Sequence, residues 1–372
     1  MGEETNIEWA TSTFNPFIGC TRVSPACANC YAATYGNRFG VEWGPGKPRR
    51  RTSEANWRKP VAWNAKAKRA RQRWAQLGAV GPAPARPRVF CASLADWLDD
   101  EVPIEWLADL LTLVEATPEL DWLLLTKRPQ LWRSRVEAAK RSIVEQAERF
   151  MPRVNGFLER WLAGERPDNV WLGVTVEDQR RADERIPELL AIPARVRFLS
   201  CEPLLGPVDL TVDETVTFCN GCARYFRTGP DACPVCGTSS LSGRERSYLE
   251  SAALHWIIAG GESGDGARPS HPAWFRSLLD QAAAFDVPFL FKQHGEWAPA
   301  GDREELVSRL VLTKERDIDA LEALWISPDG VMTDRASISR TADDAVVYRF
   351  GKKAAGRLLD GRLWDELPRV RA

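Results

Sequence analysis

Six short apolar segments, each followed by a polar loop and then by helical spacing, dominate this chain of 372 residues. They lie in "RVFCASLAD" (88–96), "DWLLLTKRP" (121–129), "NVWLGVTVED" (169–178), "RVRFLSCEPLLG" (195–206), "HWIIAGGESG" (255–264) and "PFLFKQHGEW" (288–297). Continuous apolar strands that alternate with helices are typical of a parallel sheet covered by helices. With a further strand expected in "TFNPFIGC", they predict an α/β fold with a complete or partial parallel βα-barrel. A doubly wound open sheet is the alternative, and the lack of a G-x-G-x-x-G after the first strand disfavours a dinucleotide fold.

We expect three parts along the chain. Residues 1–210 and 250–298 form the barrel, 211–249 form an insert, and 299–372 form a C-terminal extension that caps the barrel mouth or docks elsewhere. No run approaches the ~20 apolar residues that a membrane span needs. The first residues, "MGEETNIEWATSTF", lack the basic and then apolar pattern of a signal peptide. We therefore expect a soluble, cytoplasmic protein with no membrane partner.

Polar residues follow all six apolar segments. They are Ser93 and Asp96; Thr126, Lys127 and Arg128; Glu177; Cys201 and Glu202; Gly260, Gly261 and Glu262; and Lys292 and Gln293. In a parallel barrel the carboxyl ends of the strands converge on one mouth, where active sites are built. The pattern therefore predicts a site at the strand ends, whereas one or two such residues alone would be ordinary turn chemistry.

Four cysteines of the insert, Cys219, Cys222, Cys233 and Cys236, have the spacing C-x2-C-x10-C-x2-C. Two such pairs predict a tetrahedral structural zinc site, with a rubredoxin-type iron or a second iron–sulfur cluster as the lesser alternative. Metal binding then supplies much of the folding free energy of the insert. The insert either staples a loop or presents Arg224, Tyr225, Phe226 and Arg227 to a substrate or partner.

Three more cysteines, Cys20, Cys27 and Cys30, have the spacing C-x6-C-x2-C and are followed directly by Tyr31. Seven of the nine cysteines thus fall into two clusters, which in a reducing compartment favours metal ligation over disulfides. Three thiolates can hold three irons of a [4Fe–4S] cluster and leave the fourth iron open, as catalysis requires. A closed zinc site that recruits Cys91 or Cys201 is the alternative.

The segment 47–73 is strongly basic, with eleven Lys or Arg against the single acid Glu54, although the whole chain has a net charge of −1. Trp57 and Trp63 lie within it. Interleaved cations and aromatics suit a surface that follows phosphates and stacks on bases. The candidate substrate-binding residues here are Arg49, Arg50, Arg51, Arg58 and Lys59. A solvated, arginine-rich helix is the alternative.

The cysteine loop "GCTRVSPACANCYAATYG" resembles the radical S-adenosylmethionine (SAM) enzymes, although their usual spacing is C-x3-C-x2-C. More narrowly, the chain resembles the phage-associated three-Cys-motif family of uncharacterised proteins. The resemblance depends on "NIEWATSTFNPFIGCTRVSPACANCYA", "SLADWLDDEVP", "LLLTKRP", "NVWLGVTVEDQRRADERIP", "RFLSCEPLLGPVDL", "IIAGGESGDGARPSHPAW", "VPFLFKQHGEW" and "GKKAAGRLLDGRLWDELP", which run in order from residue 6 to 368. It implies a radical-SAM-like barrel, distantly similar to spore photoproduct lyase.

This resemblance also implies a chemistry. Cys20, Cys27 and Cys30 hold the cluster, SAM chelates the fourth iron, and an electron cleaves SAM to methionine and a 5′-deoxyadenosyl radical that abstracts hydrogen from a substrate. The candidate cofactor-binding residues are Tyr31, Ser93, Asp96, Thr126, Lys127, Glu177, Glu202, Gly260, Gly261 and Glu262. Arg128, Lys292, Gln293 and Trp297 are candidates for substrate binding. Cys201 is a candidate hydrogen-atom donor and Tyr31 a second catalytic candidate, although a small buried apolar residue is the commoner role of a lone cysteine.

The leading hypothesis is a radical SAM enzyme, with zinc as a second metal, that repairs or modifies a nucleic-acid base, DNA being the favoured substrate. A flavodoxin or ferredoxin is the expected reductant. One alternative is a nucleic-acid-binding or phage-defence module with structural iron–sulfur and zinc sites. Another is a radical SAM enzyme that acts on a protein or a small molecule.

Overall fold

The computed structural model describes residues 5, 7–38, 40–150, 155–211, 216–219, 221, 225–226, 232–233, 235–244, 248–249, 253–300, 308–309, 313, 321–333 and 341–369. The strands are β1 (Ser12–Thr13), β2 (Phe17–Ile18), β3 (Arg50–Arg51), β4 (Arg88–Cys91), β5 (Asp121–Thr126), β6 (Val170–Thr175), β7 (Val196–Cys201), β8 (Val216–Cys219), β9 (Tyr225–Phe226), β10 (Leu241–Arg244), β11 (Trp256–Gly260), β12 (Phe289–Gln293), β13 (Trp297–Pro299), β14 (Ala323–Ile326), β15 (Met332–Thr333) and β16 (Ala345–Arg349). The helices are α1 (Tyr31–Arg38), α2 (Glu54–Gln76), α3 (Ile104–Ala116), α4 (Trp132–Phe150), α5 (Asn155–Leu162), α6 (Gln179–Ala191), α7 (Pro272–Ala284) and α8 (Lys352–Ala355), with 3-10 turns at Pro25–Cys27 and Pro129–Leu131.

The predicted α/β class is confirmed. Seven strands form a parallel sheet in the order β1-β4-β5-β6-β7-β11-β12, which curls into a half-barrel. All six predicted apolar segments are strands of this sheet, because each is a short run of residues that can be buried on both faces. The strand expected in "TFNPFIGC" differs: Ser12–Thr13 joins the sheet, whereas Phe17–Ile18 pairs antiparallel with Arg50–Arg51. Pro16 lies between the two strands and has no N–H for a sheet ladder.

The chain divides into two compact units, and the first comprises 1–23, 32–174 and 192–197. Its core includes the buried strands β4, β5 and β6 and the apolar face of α3, where Leu107, Leu110 and Leu111 are fully buried. Each such side chain contributes about 2 kcal/mol of burial free energy. Phe14 packs edge-on against Trp57 of α2 and against Trp122 of β5. Helix α2 is thereby fixed to the core through its first turns.

The second unit comprises 24–31, 175–191 and 198–372. Within it β11 pairs in parallel with β7 and β12, and α7 contributes Trp274, Phe275 and Leu278 to the core. Two small antiparallel sheets belong to it, in the orders β10-β8-β9 and β13-β16-β14-β15. The backbone of Phe291 donates to the carbonyl of Trp364 at 2.9 Å, and Glu366 donates to Phe289 at 3.2 Å. The C-terminal segment therefore covers the open edge of β12, which would otherwise expose unpaired backbone groups.

His294 follows β12 and is buried against the rings of Phe275 and Phe291. Its Nε2 lies 2.8 Å from the carbonyl of Leu358, to which it donates. Burial lowers the pKa of His294 to about 4, although the hydrogen bond to Leu358 opposes this effect. The imidazole is therefore neutral in the folded chain at physiological pH.

This burial predicts a loss of stability in acid. Because the unfolded pKa is about 6.5, the contribution of His294 is fully present above that pH and is lost as the pH falls towards 4. Between pH 7 and 4.5 we expect it to amount to roughly 2–3 kcal/mol of the free energy of unfolding. The check is urea unfolding of wild type and His294→Gln at both pH values. An equal acid loss in the two proteins would contradict the prediction.

Candidate functional site

In the first unit, Asp96 gathers the residues at the carboxyl ends of β4 and β5. Its Oδ1 accepts from the Thr126 hydroxyl at 2.7 Å, and its Oδ2 accepts from the Lys127 backbone at 2.8 Å. Arg128 Nη1 also donates to Oδ2, at 3.1 Å. Three of the predicted strand-end residues thus meet at a buried carboxylate, which fixes the loop that leaves β5.

Arg128 connects this carboxylate to the first cysteine. Its Nη1 lies 3.5 Å from Cys20 Sγ, and its Nη2 donates to the carbonyl of Thr21 at 2.8 Å. Burial alone would lower the pKa of Arg128, but Asp96, Cys20 and Asp99 raise it above its usual value. Burial and Asp96 raise the pKa of the Cys20 thiol to about 12, while Arg128 acts to lower it. Cys20 is therefore protonated at neutral pH, and metal ligation would displace that proton.

Arg49 was a candidate for substrate binding, but the structure places it inside the first unit. It is 7% exposed, and its Nε donates to Asp99 at 2.8 Å. Its Nη2 also donates to the Thr21 hydroxyl at 2.7 Å, so Arg49 holds the residue that follows Cys20 in place. A buried guanidinium that is bound to a carboxylate is unavailable to a surface ligand. Ser93, another candidate, is held by Asn15 Nδ2 at 2.9 Å.

In the second unit, the segment 24–31 carries Cys27 at the end of a 3-10 turn and Cys30 just before α1. The Ser24 hydroxyl lies 3.8 Å from Cys27 Sγ. Asn29, between the two cysteines, donates through Nδ2 to Glu262 Oε2 at 3.1 Å and to the Gly266 carbonyl at 2.6 Å. Tyr31 is 56% exposed. The segment is thus attached to the loop that follows β11.

Glu262 is the centre of that attachment. Arg268 donates to its Oε2 from the backbone and from Nε, both at 2.8 Å, and to Oε1 from Nη2 at 2.6 Å. Burial raises the pKa of Glu262, but the hydrogen bonds from Arg268 and Asn29 outweigh burial and lower it. The same Nη2 of Arg268 donates to the carbonyl of Pro25 at 3.1 Å. Glu262 is therefore an ionised anchor for the cysteine segment.

The other two predicted carboxylates, Glu202 and Glu177, differ in how many of their oxygen atoms have hydrogen-bond partners. Glu202 accepts from Lys292 Nζ at 2.7 and 2.9 Å and from Gln293 at 3.2 Å. Glu177 is fully buried, and its Oε2 accepts from Arg185 at 2.7 Å. Its Oε1 is also buried but has no hydrogen-bond partner in the described part of the chain. Of the three carboxylates, Glu177 alone has a buried oxygen without a hydrogen-bond partner in the described residues.

Cys201 and Cys91 are both fully buried strand-end thiols. Burial raises the pKa of each, and Glu177 adds to the effect at Cys201. Both are consequently neutral thiols. The environment suits a small apolar residue at Cys91, whereas Cys201 has an ionisable neighbour.

Gly260 and Gly261 were candidates for cofactor binding, but protein packing already requires a glycine at position 261. A Cβ at Gly261 would lie 1.9 Å from the carbonyl oxygen of His294. Conversely, a Cβ at Gly295, whose φ is +86°, would lie 2.0 Å from the carbonyl oxygen of Glu262. A Cβ at Gly260 would meet Gln293 at 3.4 Å. The close approach is thus between two loops of the second unit.

The aromatic residues of the basic segment are not on the surface that the sequence predicts. Trp57 and Trp63 are each 8% exposed, because they form the core face of α2. The Arg51 guanidinium lies 4.0 Å from the centre of the Trp57 ring and pairs with Asp109 at 2.9 Å. Arg50 and Arg58 are exposed and Lys59 is half-buried.

Trp297, a candidate for substrate binding that lies in β13, is buried, with its Nε1 donating to the Ala267 carbonyl at 2.6 Å.

The insert brings together Cys219, Cys233 and Cys236, whose sulfur atoms all lie within 4.8 Å of one another. Cys219 Sγ and Cys236 Sγ are 3.5 Å apart, and the backbones of Val235 and Cys236 donate to Cys233 Sγ, each at 3.4 Å. This cluster could hold a metal ion. The predicted fourth ligand, Cys222, lies outside the described residues, as do Arg224 and Arg227, whereas Tyr225–Phe226 is β9.

Sequence reasoning missed four residues that hold the candidates in place: Asn29, Asp99, Arg185 and Arg268. Asn29 had a signal, since it stands between two cysteines of the first cluster. Arg185 lies on the buried face of α6, eight positions after Glu177, but Glu177 precedes the helix, so helical spacing gave no signal for this pair. Nothing in "GDGARPS" distinguishes Arg268 from a loop cation.

None of the helices in the described residues is long and apolar enough to cross a membrane. No curated protein and no solved structure matches the chain. One family model matches it, from residue 4 to residue 368. The chain therefore belongs to the family described as "Protein of unknown function (DUF5131)".

Proposed function

We propose that this protein is a radical SAM enzyme that holds a [4Fe–4S] cluster on Cys20, Cys27 and Cys30 and repairs or modifies a nucleic-acid base. One observation supports this proposal most. In each unit separately, a part of the cysteine loop is attached to the carboxyl end of a parallel strand. Arg128, after β5, contacts Cys20 and the Thr21 carbonyl, and Glu262, after β11, binds Asn29. Strand carboxyl ends are where such folds build active sites.

The donor set suits an iron–sulfur cluster. All three thiols are free, and Arg128 donates to Cys20 Sγ, which would stabilise the thiolate that a metal requires. When bound, such a cluster together with SAM supplies a one-electron reductive cleavage that makes a radical for hydrogen abstraction. The electron would come from a low-potential flavodoxin or ferredoxin. The residues of this chain would bind, orient and exclude water.

The strand-end groups can be given different roles in this proposal. Glu177 would accept from an ammonium or ribose hydroxyl of SAM, since its Oε1 is the buried oxygen without a partner in the described residues. Glu262 and Glu202 would position neighbouring groups, because Arg268 and Lys292 already bind them. Tyr31 is exposed enough to face a ligand. Cys201 would be a hydrogen-atom donor, as a buried neutral thiol.

For the insert we propose a structural zinc site that Cys222 completes. Three soft ligands in a tight group fit Zn²⁺, and the backbone N–H groups that donate to Cys233 are the outer contacts that such sites use. Its role in this proposal is to stabilise the insert.

The deciding experiment uses anaerobically purified protein with a reconstituted cluster. With SAM and dithionite we expect 5′-deoxyadenosine, detected by mass spectrometry, and we expect Cys27→Ala to give none. Cys91→Ala is the matched control, since it removes a thiol that has no place in the proposed cluster. The absence of product from wild type, with iron and sulfide present and no change in the cluster's EPR signal on adding SAM, would favour a structural cluster instead.

A further inference from the structure

The basic segment separates into two parts once its structure is known. Arg49 and Arg51 are bound to Asp99 and Asp109. From Arg58 onward the cations lie on α2, a helix of 23 residues whose core contacts come from Asn56, Trp57, Pro60 and Trp63. Beyond Trp63, most of the helix is exposed. The chain has no acidic residue between Glu54 and Asp96.

Three arginines share the outward face of this helix. At about 100° per residue, Arg69 and Arg73 lie about 20° and 60° around the axis from Arg58, and the three span about 22 Å. All are exposed, and no acidic side chain of the described residues pairs with them. Lys68 is exposed but lies about 80° from Arg58 on the side away from Arg69 and Arg73, and Arg71 pairs with Glu119 at 3.3 Å.

We propose that the outward face of α2, formed by Arg58, Arg69 and Arg73, binds the sugar–phosphate backbone of the nucleic acid on which the enzyme acts. The row is about 22 Å long, which equals the axial rise of about six base pairs of a duplex. Arginine suits this role because its planar fork binds phosphate oxygens in pairs. Trp57 and Trp63 face the core and the Trp74 indole is bound to the Val80 carbonyl, so this surface positions the strand and reads no bases.

Charge and burial favour nucleic acid over a membrane. A helix that lies in a membrane interface inserts its apolar face among the lipids. The apolar face of α2, which Trp57 and Trp63 form, is already buried in the core of the first unit. The chain as a whole has a net charge of −1, so its composition gives no general attraction to anions. Any attraction to phosphates must therefore come from this local row of arginines.

The test is fluorescence anisotropy with labelled DNA of about 20 nucleotides, as a duplex and as a single strand, over a range of salt concentrations. We expect the triple variant Arg58→Gln, Arg69→Gln, Arg73→Gln to bind about 100-fold more weakly at low salt, and its salt slope to fall by about 2–3. The matched control, Arg133→Gln, Arg141→Gln, Arg166→Gln, removes the same charge from exposed sites of the same unit. It should change the affinity less than about threefold.

Three results would overturn the inference: no binding of either probe by wild type, equal losses in both triple variants, or no loss in the first. Competition by an acidic peptide as effective as DNA at equal charge would reassign the face to protein partners. The inference depends on the nucleic-acid substrate proposed above, but the binding test needs no cluster. A failure of 5′-deoxyadenosine formation with intact binding would therefore reject the chemistry and leave this surface in place.

Discussion

Replacing Arg128 by methionine is expected to lower the free energy of unfolding by about 3–5 kcal/mol. The reason is that Arg128 is 3% exposed and neutralises Asp96, which is itself buried. Removing one partner of a buried pair leaves the other charge desolvated and uncompensated. The variant also loses the hydrogen bond to the Thr21 carbonyl and the contact with Cys20. Denaturant unfolding of the two proteins measures the difference.

Arg133→Met is the control, because Arg133 is five positions away and forms an exposed pair with Glu137 at 3.6 Å. Exposed helical pairs of this type contribute about 0.3–0.5 kcal/mol. A loss below about 1 kcal/mol in Arg128→Met would mean that Thr126 and the Lys127 backbone satisfy Asp96 without the guanidinium. If our functional proposal holds, iron content after reconstitution should fall as well.

Cys233→Ser is expected to remove nearly all of the zinc that we propose for the insert. Cys233 is buried, its sulfur lies within the group of three, and two backbone N–H groups donate to it. A serine hydroxyl does not ionise near neutral pH and is a poor ligand for a soft site. Inductively coupled plasma mass spectrometry of purified protein gives the metal content.

Cys236→Ser should have the same effect, and Cys91→Ala, at a buried thiol outside the group, should retain the zinc. Iron content should be unchanged in all three variants. Loss of iron in Cys233→Ser would mean that the two cysteine clusters had been assigned to the wrong metals. Zinc retained in both serine variants would place the ion elsewhere.

The parallel strands were predictable because their residues are apolar whichever way they point. All six residues of Val170–Thr175 are buried, so no alternation of polar residues interrupts the run. The N-terminal strands were less predictable. Ser12–Thr13 is short and polar, and its place beside β4 depends on pairing with Val89 and Phe90, residues far along the chain.

The basic segment shows what composition alone does not resolve. The eleven cations of residues 47–73 look equivalent when only the net charge of the segment is counted. In the structure, however, Arg49 is buried and Arg58 faces solvent. The helical phase of Trp57, Pro60 and Trp63 is the signal that could have separated them, since residues three apart share a face. Arg49 precedes the helix, and its burial follows from a carboxylate fifty positions away.

At the strand ends, the sequence located the polar groups but not their partners. Glu177, Glu202 and Glu262 look alike in the sequence, as acids that follow apolar runs. Tertiary contacts alone distinguish them, because Arg185, Lys292 and Arg268 bind them with different numbers of hydrogen bonds. An acid's readiness to accept from a ligand depends on those contacts.

The crossing of Gly261 and Gly295 limits how this chain can diverge. Gly261 leaves room for the carbonyl of His294, and Gly295 leaves room for the carbonyl of Glu262. A larger residue at either position would therefore clash with backbone, and a substitution at the other glycine could not relieve the clash. The path from β11 to Glu262 and the path that leaves β12 therefore approach each other at a distance that requires glycine at both positions. Substitutions can alter the side chains that these loops present, and with them the chemistry. The backbone path of the two loops cannot change in small steps, because any side chain at either glycine clashes with a carbonyl.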